Sequence, residues 1–364
     1  MAPKTTPVDP HATPRASRTR VTQTRTQTRT RNAQMQYPQA STPNLSPTRG
    51  SSAKYGPEFT NTKSPNDTNE EDSIVYKALL LELPQVPDSH SFAEGSTSSH
   101  SSRVPTKKEL DVKHSGKQLD KVVACPGIME KLIEKLRKSL KACDQLSEND
   151  PFMSRLSIES RCAHLPGNIC SEHDTANWVH SVILRPAIAV VQYLLYNNTV
   201  TKDFPNISSV GGSAPVPDGV MFEFCRDADN ALATIEFKTH VVLSVDWFDA
   251  IHGLLDRAGD SGIPGSAAKF CWPDSEDTEF DKATKVLVQV WGQMRKWKVT
   301  YAILSSYEQT YFLFKSKAQS DALYITNGFE PDNSDLLPAT VSFLALALGI
   351  YSFSDLGLPE PNHL

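Results

Sequence analysis

The sequence of 364 residues lacks an unbroken apolar run of about 20 residues, the length a helix needs to cross a bilayer. Its longest apolar stretches are Val341–Phe353 and Val182–Leu195, and the second is interrupted by Pro186. A chain that does not enter a membrane is therefore expected. Met1–Pro10 has no apolar segment of the kind a secretory leader carries, so no leader is expected either. The six cysteines, at 125, 143, 162, 170, 225 and 271, form no C-x-x-C pair, and no paired histidine cluster accompanies them. That argues against both a zinc site and a disulfide framework. They read as reduced thiols of an intracellular protein, in the nucleus or the cytoplasm.

Acidic residues are missing altogether from positions 10–57. The net charge of -5 hides this asymmetry: residues 1–65 hold ten Lys/Arg against two Asp/Glu, leaving 27 basic and 40 acidic residues for the rest. The first segment is thus basic and the body strongly acidic. Residues 1–110 are mostly Ser, Thr, Pro, Gln, Asn and Arg, with a near-repeat of Thr-Arg and Thr-Gln over Thr22–Arg31. Such a composition cannot bury enough apolar surface to offset the entropy of ordering, so a disordered basic region is expected. Arg15, Arg18, Arg20, Arg25, Arg29 and Arg31 suit nucleic acid, an import receptor or an acidic protein partner; the competing reading is a solvated linker. Acid-poor leaders of the mitochondrial type also need an amphipathic apolar face, which is absent here. Ser46-Pro47-Thr48-Arg49 has the form of a proline-directed phosphorylation site.

Residues 74–83 form a short apolar stretch suited to a docking helix. Within 111–150, Ile128, Leu132, Ile133, Leu136, Leu140 and Leu146 recur at three- and four-residue spacing, which predicts an amphipathic helix over Gly127–Leu146 packing on the domain that follows. Residues 151–355 have the composition of a folded domain, with 356–364 as a tail. Glu172–Tyr196 carries one apolar stripe and reads as a helix bent at Pro186. The period then changes to that of strands at Asp218–Cys225 and Leu232–Thr239, a hairpin joined by residues 226–231. After a long acidic connection over 240–280, Lys282–Lys298 is again helical, with Val286, Val290, Met294 and Trp297 on its apolar face. Val299–Ser306 and Thr310–Phe314 form a second strand pair around Tyr307-Glu308-Gln309, and Val341–Tyr351 a last apolar helix.

Chemistry concentrates in the first hairpin. Pro-Asp occurs at four places and acid-x-Lys at two, Asp111-Val112-Lys113 and Glu236-Phe237-Lys238. Only Pro217-Asp218 and Glu236-Phe237-Lys238 lie on successive strands between a preceding helix and a following helix and strand. On an extended strand Glu236 and Lys238 project to one face while Ile235 and Phe237 project to the other. The hairpin brings Asp218 beside them.

This ordered set resembles the PD-(D/E)XK nuclease-like superfamily, over roughly residues 170–315. The resemblance implies an α/β fold with a central mixed β-sheet flanked by helices, restriction-endonuclease-like, and metal-dependent hydrolysis of nucleic acid. It assigns Asp218 to the first motif and Glu236 and Lys238 to the second, with Mg2+ or Mn2+ on Asp218 and Glu236. A hard cation on carboxylate oxygens polarises the phosphate and acidifies an attacking water, and the ammonium of Lys238 orients that water or steadies developing charge. Members commonly add an acid from the first helix. Glu172 and Asp174 both suit that position, and Glu172 is preferred because Asp174 also suits a helix cap.

On the helix after the lysine strand, Lys285, Gln289, Gln293 and Lys296 form a polar stripe. Gln289 and Gln293 are assigned to the metal-bound water or a substrate phosphate, and Lys285 and Lys296 to a nucleic-acid backbone. A solvated helix face is the plainer reading of that stripe. For Asp218, Glu236 and Lys238 the plainer reading is a turn acid beside an ordinary strand ion pair. Gln289-Val290-Trp291-Gly292-Gln293-Met294 with Val299–Thr310 is also similar to modules of mushroom-forming fungi that stand alone or precede fungal-type protein kinase domains. The chain has no Gly-rich loop, H-R-D or D-F-G, so no kinase activity follows. The alternative to a nuclease is a catalytically inactive module of the same fold that binds a protein partner, a reading the acidic body favours. Cys170 near His173 is a poor nucleophile pair, and Trp291 and Trp297 read as core.

Overall fold

The computed structural model describes residues 72–85, 118–143, 146–162, 164–197, 205–210, 216–223, 231–240, 242–243, 267–270, 272, 282–316 and 319–358. The basic region up to residue 71, residues 226–230 of the hairpin turn and most of the acidic connection lie outside the described residues.

Eight strands form one mixed sheet: β1 (Lys121–Ala124), β2 (Asn206–Ser208), β3 (Gly219–Phe222), β4 (Ala231–Phe237), β5 (Ala267–Lys269), β6 (Tyr301–Ser305), β7 (Thr310–Lys315) and β8 (Ala322–Ile325). Their spatial order is β2-β3-β4-β6-β7-β8-β1-β5. The pairs β4–β6 and β8–β1 are parallel and the other neighbours antiparallel. Helices cover both faces, which is why the central strands are apolar on both sides. On β6, Ile303 joins one core, while Ala302 and Leu304 join the other.

The first core is built by α1 (Ile74–Leu79), α2 (Ile128–Ala142), the helical run from Glu172 to Asn197, and α8 (Leu336–Ala347). Every residue of α8 is buried, and its two hydroxyl side chains find carbonyls: Thr340 donates to Leu336 O and Ser342 to Leu132 O. Helix α2 stops at Ala142, short of Leu146, and buries Ile128, Leu132, Ile133, Leu136 and Leu140 as their spacing predicts. Helix α1 buries Val75, Tyr76 and Leu79. The second core lies under α7 (Lys282–Lys296), whose Val286, Val290, Trp291 and Met294 face the sheet. Trp297 packs partly buried against the same core.

The hairpin β3–β4 and the pair β6–β7 occur where the period-2 pattern places them. Strands β1, β2, β5 and β8 have no counterpart in the sequence reading. Two short helices, α3 (Pro151–Leu156) and α4 (Ile158–Cys162), precede the helical run in the chain.

The run beginning at Glu172 is not one bent α-helix. It comprises α5 (Glu172–Trp178), a π-helical segment over Val179–Leu184, and α6 (Arg185–Asn197). Pro186 has no N–H and its ring crowds the carbonyl four residues back, which is a known cause of such irregularity. That carbonyl, Val182 O, accepts from Arg161 Nη1 at 3.0 Å instead. By length and composition Glu172–Tyr196 could cross a membrane, but 67% of its apolar window is buried inside the protein.

Candidate active site

Strand β4 alternates as expected: Ala233, Ile235 and Phe237 enter the first core, so Thr234, Glu236 and Lys238 project towards α7. Glu236 and Lys238 are each only 2% exposed, and the Lys238 ammonium is paired with Glu236 Oε1. Ion pairs this deep survive only with further hydrogen bonds. Helix α7 supplies them. Gln289 Nε2 donates to Glu236 Oε1 at 2.6 Å, and Gln293 Nε2 donates to Glu236 Oε2 at 2.7 Å. Gln293 Nε2 also reaches Val216 O at 3.2 Å, tying the segment before Asp218 to the same helix.

Asp218 enters from the start of β3, where its Oδ2 accepts from Phe237 N at 2.7 Å. Gly219 beside it suits a narrow passage, because a Cβ there would stand 3.4 Å from both Ile207 and Ile235. Asp218 is exposed as a residue, yet its carboxyl is turned into the site. Loss of water and the neighbouring Glu236 push that carboxyl up, to about 7, against the opposing pull of Lys238 and of the Phe237 N–H. For Lys238 burial works against the charged form, but Glu236, Glu172 and Asp218 outweigh it and hold the ammonium above its ordinary range.

Between the two acids of the first helix, the structure separates the roles. Ser171 Oγ accepts from Asp174 N at 3.2 Å, while Asp174 Oδ2 accepts from Cys170 N at 3.1 Å and from Ser171 Oγ at 2.9 Å. Ser171 therefore caps α5, and the Asp174 carboxylate folds back to brace that cap. Glu172 points into the site, with Oε1 at 3.7 Å from Lys238 Nζ, buried and lacking a hydrogen-bond partner. A cavity of about 420 Å³ opens beside Glu172, Asp218 and Phe237.

The structure thus brings together Asp218, Glu236, Lys238, Glu172, Gln289 and Gln293. Gln293, assigned from sequence as a substrate contact, is fully buried, and its Nε2 is taken up by Glu236 and Val216 O. Gln289 likewise binds Glu236 directly. Lys285 is half-buried and Lys296 exposed further along the helix. Among the described residues, no three His, Cys, Asp or Glu side chains are grouped closely enough to hold a metal ion as they stand.

His180, Ser181 and Arg185, which line the same cavity, were missing from the sequence reading. They lie on the π segment or at its end, and no apolar periodicity reveals that geometry. Only Pro186 hinted at an irregularity there. No protein-family model, curated protein or solved structure matches the chain.

Proposed function

We propose that the chain is a PD-(D/E)XK-type protein that hydrolyses phosphodiester bonds of nucleic acid with Mg2+ or Mn2+. The observation that carries the reading is the convergence of Asp218, Glu236 and Lys238 at the end of β4, with two amides of α7 fixed on Glu236. The order helix, hairpin, helix and parallel strand supports the finer, restriction-endonuclease-like reading of the fold.

The donor set suits a hard divalent cation. Glu236 and Glu172 share one ammonium, the Asp218 carboxylate lies within its electrostatic reach, and Glu172 Oε1 is buried without a hydrogen bond. Asp218 and Glu236 would hold the ion, with Glu172 as a third donor. When bound, it supplies a Lewis acid for the phosphate and lowers the pKa of water. The chain's own contributions are positional and electrostatic. Gln289 and Gln293 fix the orientation of Glu236, and Lys238 carries the positive charge that meets charge developing on the phosphate. The basic region upstream raises the local concentration of nucleic acid, or engages a protein partner. No role in a membrane is proposed.

A second reading, a non-catalytic module of the same fold akin to those beside fungal-type kinase domains, is favoured by one observation. Both oxygens of Glu236 are already engaged within the protein. The deciding experiment incubates the full chain with single- and double-stranded DNA and RNA in Mg2+ or Mn2+, beside Lys238→Ala. Cleavage lost in the variant, by at least about 100-fold as expected for removal of one transition-state charge contact, supports the nuclease. A folded parent that cuts nothing, and whose melting temperature does not respond to Mn2+, supports the module.

A further inference from the structure

The cavity beside the carboxylates continues into a second one of about 350 Å³, because His180, Ser181, Arg185 and Ile207 line both. Its character is the reverse of the acidic end. Arg155 from the end of α3 and Arg161 from α4 join Arg185 in its wall. Arg155 and Arg185 are exposed and, among the described residues, neither makes a hydrogen bond or an ion pair.

Arg161 is 8% exposed and, among the described residues, its guanidinium meets only carbonyls: Nη2 donates to Leu156 O at 2.7 Å, Nη1 to Val182 O at 3.0 Å and Nε to Ser157 O at 3.3 Å. Carbonyl dipoles satisfy its donors but do not neutralise its charge, and a buried cation without a counter-charge is costly. His180 adds an independent sign: its Nδ1 is buried without a hydrogen-bond partner. It sits in the π-helical segment, a local geometry that occurs often at functional sites.

We propose that this second cavity is a phosphate-binding subsite, formed by Arg155, Arg185 and His180 over the buried charge of Arg161, which holds a neighbouring phosphate of the strand whose scissile bond lies at Asp218, Glu236 and Lys238. The inference rests on the nuclease reading for the identity of the strand. Guanidinium forks suit phosphate oxygens, and those of Arg155 and Arg185, over the buried charge of Arg161, favour phosphate over a neutral ligand. On this reading one phosphate lies at the carboxylate site and its neighbour beside Arg185.

The test measures binding without metal, so that it does not depend on catalysis. Full chain in EDTA is titrated with a fluorescent, 5′-phosphorylated single-stranded oligonucleotide and with the same strand lacking the 5′-phosphate. Inorganic phosphate serves as competitor. In Arg155→Ala/Arg185→Ala the affinity falls at least 10-fold, and the slope of log K against log salt falls by about 1.4, as two lost contacts on a single strand require. The melting temperature is unchanged, because both side chains are exposed and, among the described residues, unpaired. A control pair, Lys131→Ala/Lys138→Ala on α2, removes the same charge elsewhere and leaves affinity within about twofold.

Stronger binding of the 5′-phosphorylated strand assigns the cavity to a terminal phosphate, and equal binding assigns it to an internal one; both support the subsite. Competition by inorganic phosphate that disappears in the arginine variant also supports it. Equal losses in the arginine and lysine pairs, or no binding by the parent, overturn it. Arginine-dependent binding with no cleavage in any metal keeps the subsite and removes the nuclease. Cleavage undiminished in the arginine variant does the opposite.

Discussion

Helix α7 meets the sheet with two amides whose Nε2 groups both donate to Glu236, whereas the helical run on the opposite face leaves, among the described residues, Arg185 and the Nδ1 of His180 without a hydrogen-bond partner. The buried acidic cluster and the basic cavity therefore differ in kind. At the acidic end the charges of Glu236 and Lys238 are organised by the protein itself, and removing a partner strands the others in a dry interior. At the basic end the exposed charges have no internal role, so removing them should affect ligands and not folding. Organised polar groups report on stability, and unpartnered ones report on what the protein binds.

The sharpest way to break this contrast is Glu236→Ala. It leaves the Lys238 ammonium with only Glu172 at 3.7 Å and the Gln293 amide with only Val216 O, and a cost of about 3–5 kcal/mol is expected from the loss of one member of a buried pair. Urea unfolding followed by circular dichroism measures it. A loss below about 1 kcal/mol would mean that water reaches Lys238 freely.

Gln293→Leu has a smaller effect. The substitution removes one donor to Glu236 Oε2 and the contact with Val216 O while keeping much of the side-chain volume. Leaving those acceptors unsatisfied is expected to cost about 1–3 kcal/mol in the same assay. Because Val216 lies two residues before Asp218, hydrogen exchange of the β3 amides should also accelerate in this variant.

The smallest effect is one of pH. The folded Asp218 carboxyl is held up, to about 7, above an unfolded value of about 3.9. Between those values the folded chain binds more protons than the unfolded chain, so this contribution is fully present below about pH 4 and is lost as the pH rises through about 7. Solvent at the exposed rim screens the effect, and about 1 kcal/mol is expected. In EDTA, the difference in unfolding free energy between pH 4.5 and pH 7.5 should shrink in Asp218→Asn relative to the parent. An unchanged difference would show that Asp218 titrates as an ordinary surface acid.

Glu236 and Lys238 could be found from sequence because a strand's period is strict: two residues apart means the same face, whatever the tertiary context. The amphipathic spacing of α7 likewise put Gln289 and Gln293 on one side of a helix, although not which groups they would meet. Strands β1 and β8, four residues each, escaped notice for the converse reason. Their parallel pairing joins Lys121 to Ala322 across some two hundred residues of chain, and segments so short carry little local signal. The π segment was hidden too, since its residues are as apolar as those of any buried helix. The choice between Glu172 and Asp174 needed coordinates, because Ser171 precedes both and only one carboxylate folds back onto the cap.

Pro186 and Arg161 are 25 positions apart in sequence and joined by a single acceptor, Val182 O. The proline withholds a donor and the arginine provides one. A descendant that replaces the proline regains its own amide and loses one reason to keep a guanidinium at 161; one that loses the arginine first leaves a buried carbonyl bare. The two positions are therefore coupled through one oxygen, and what a change at 186 costs depends on the side chain at 161.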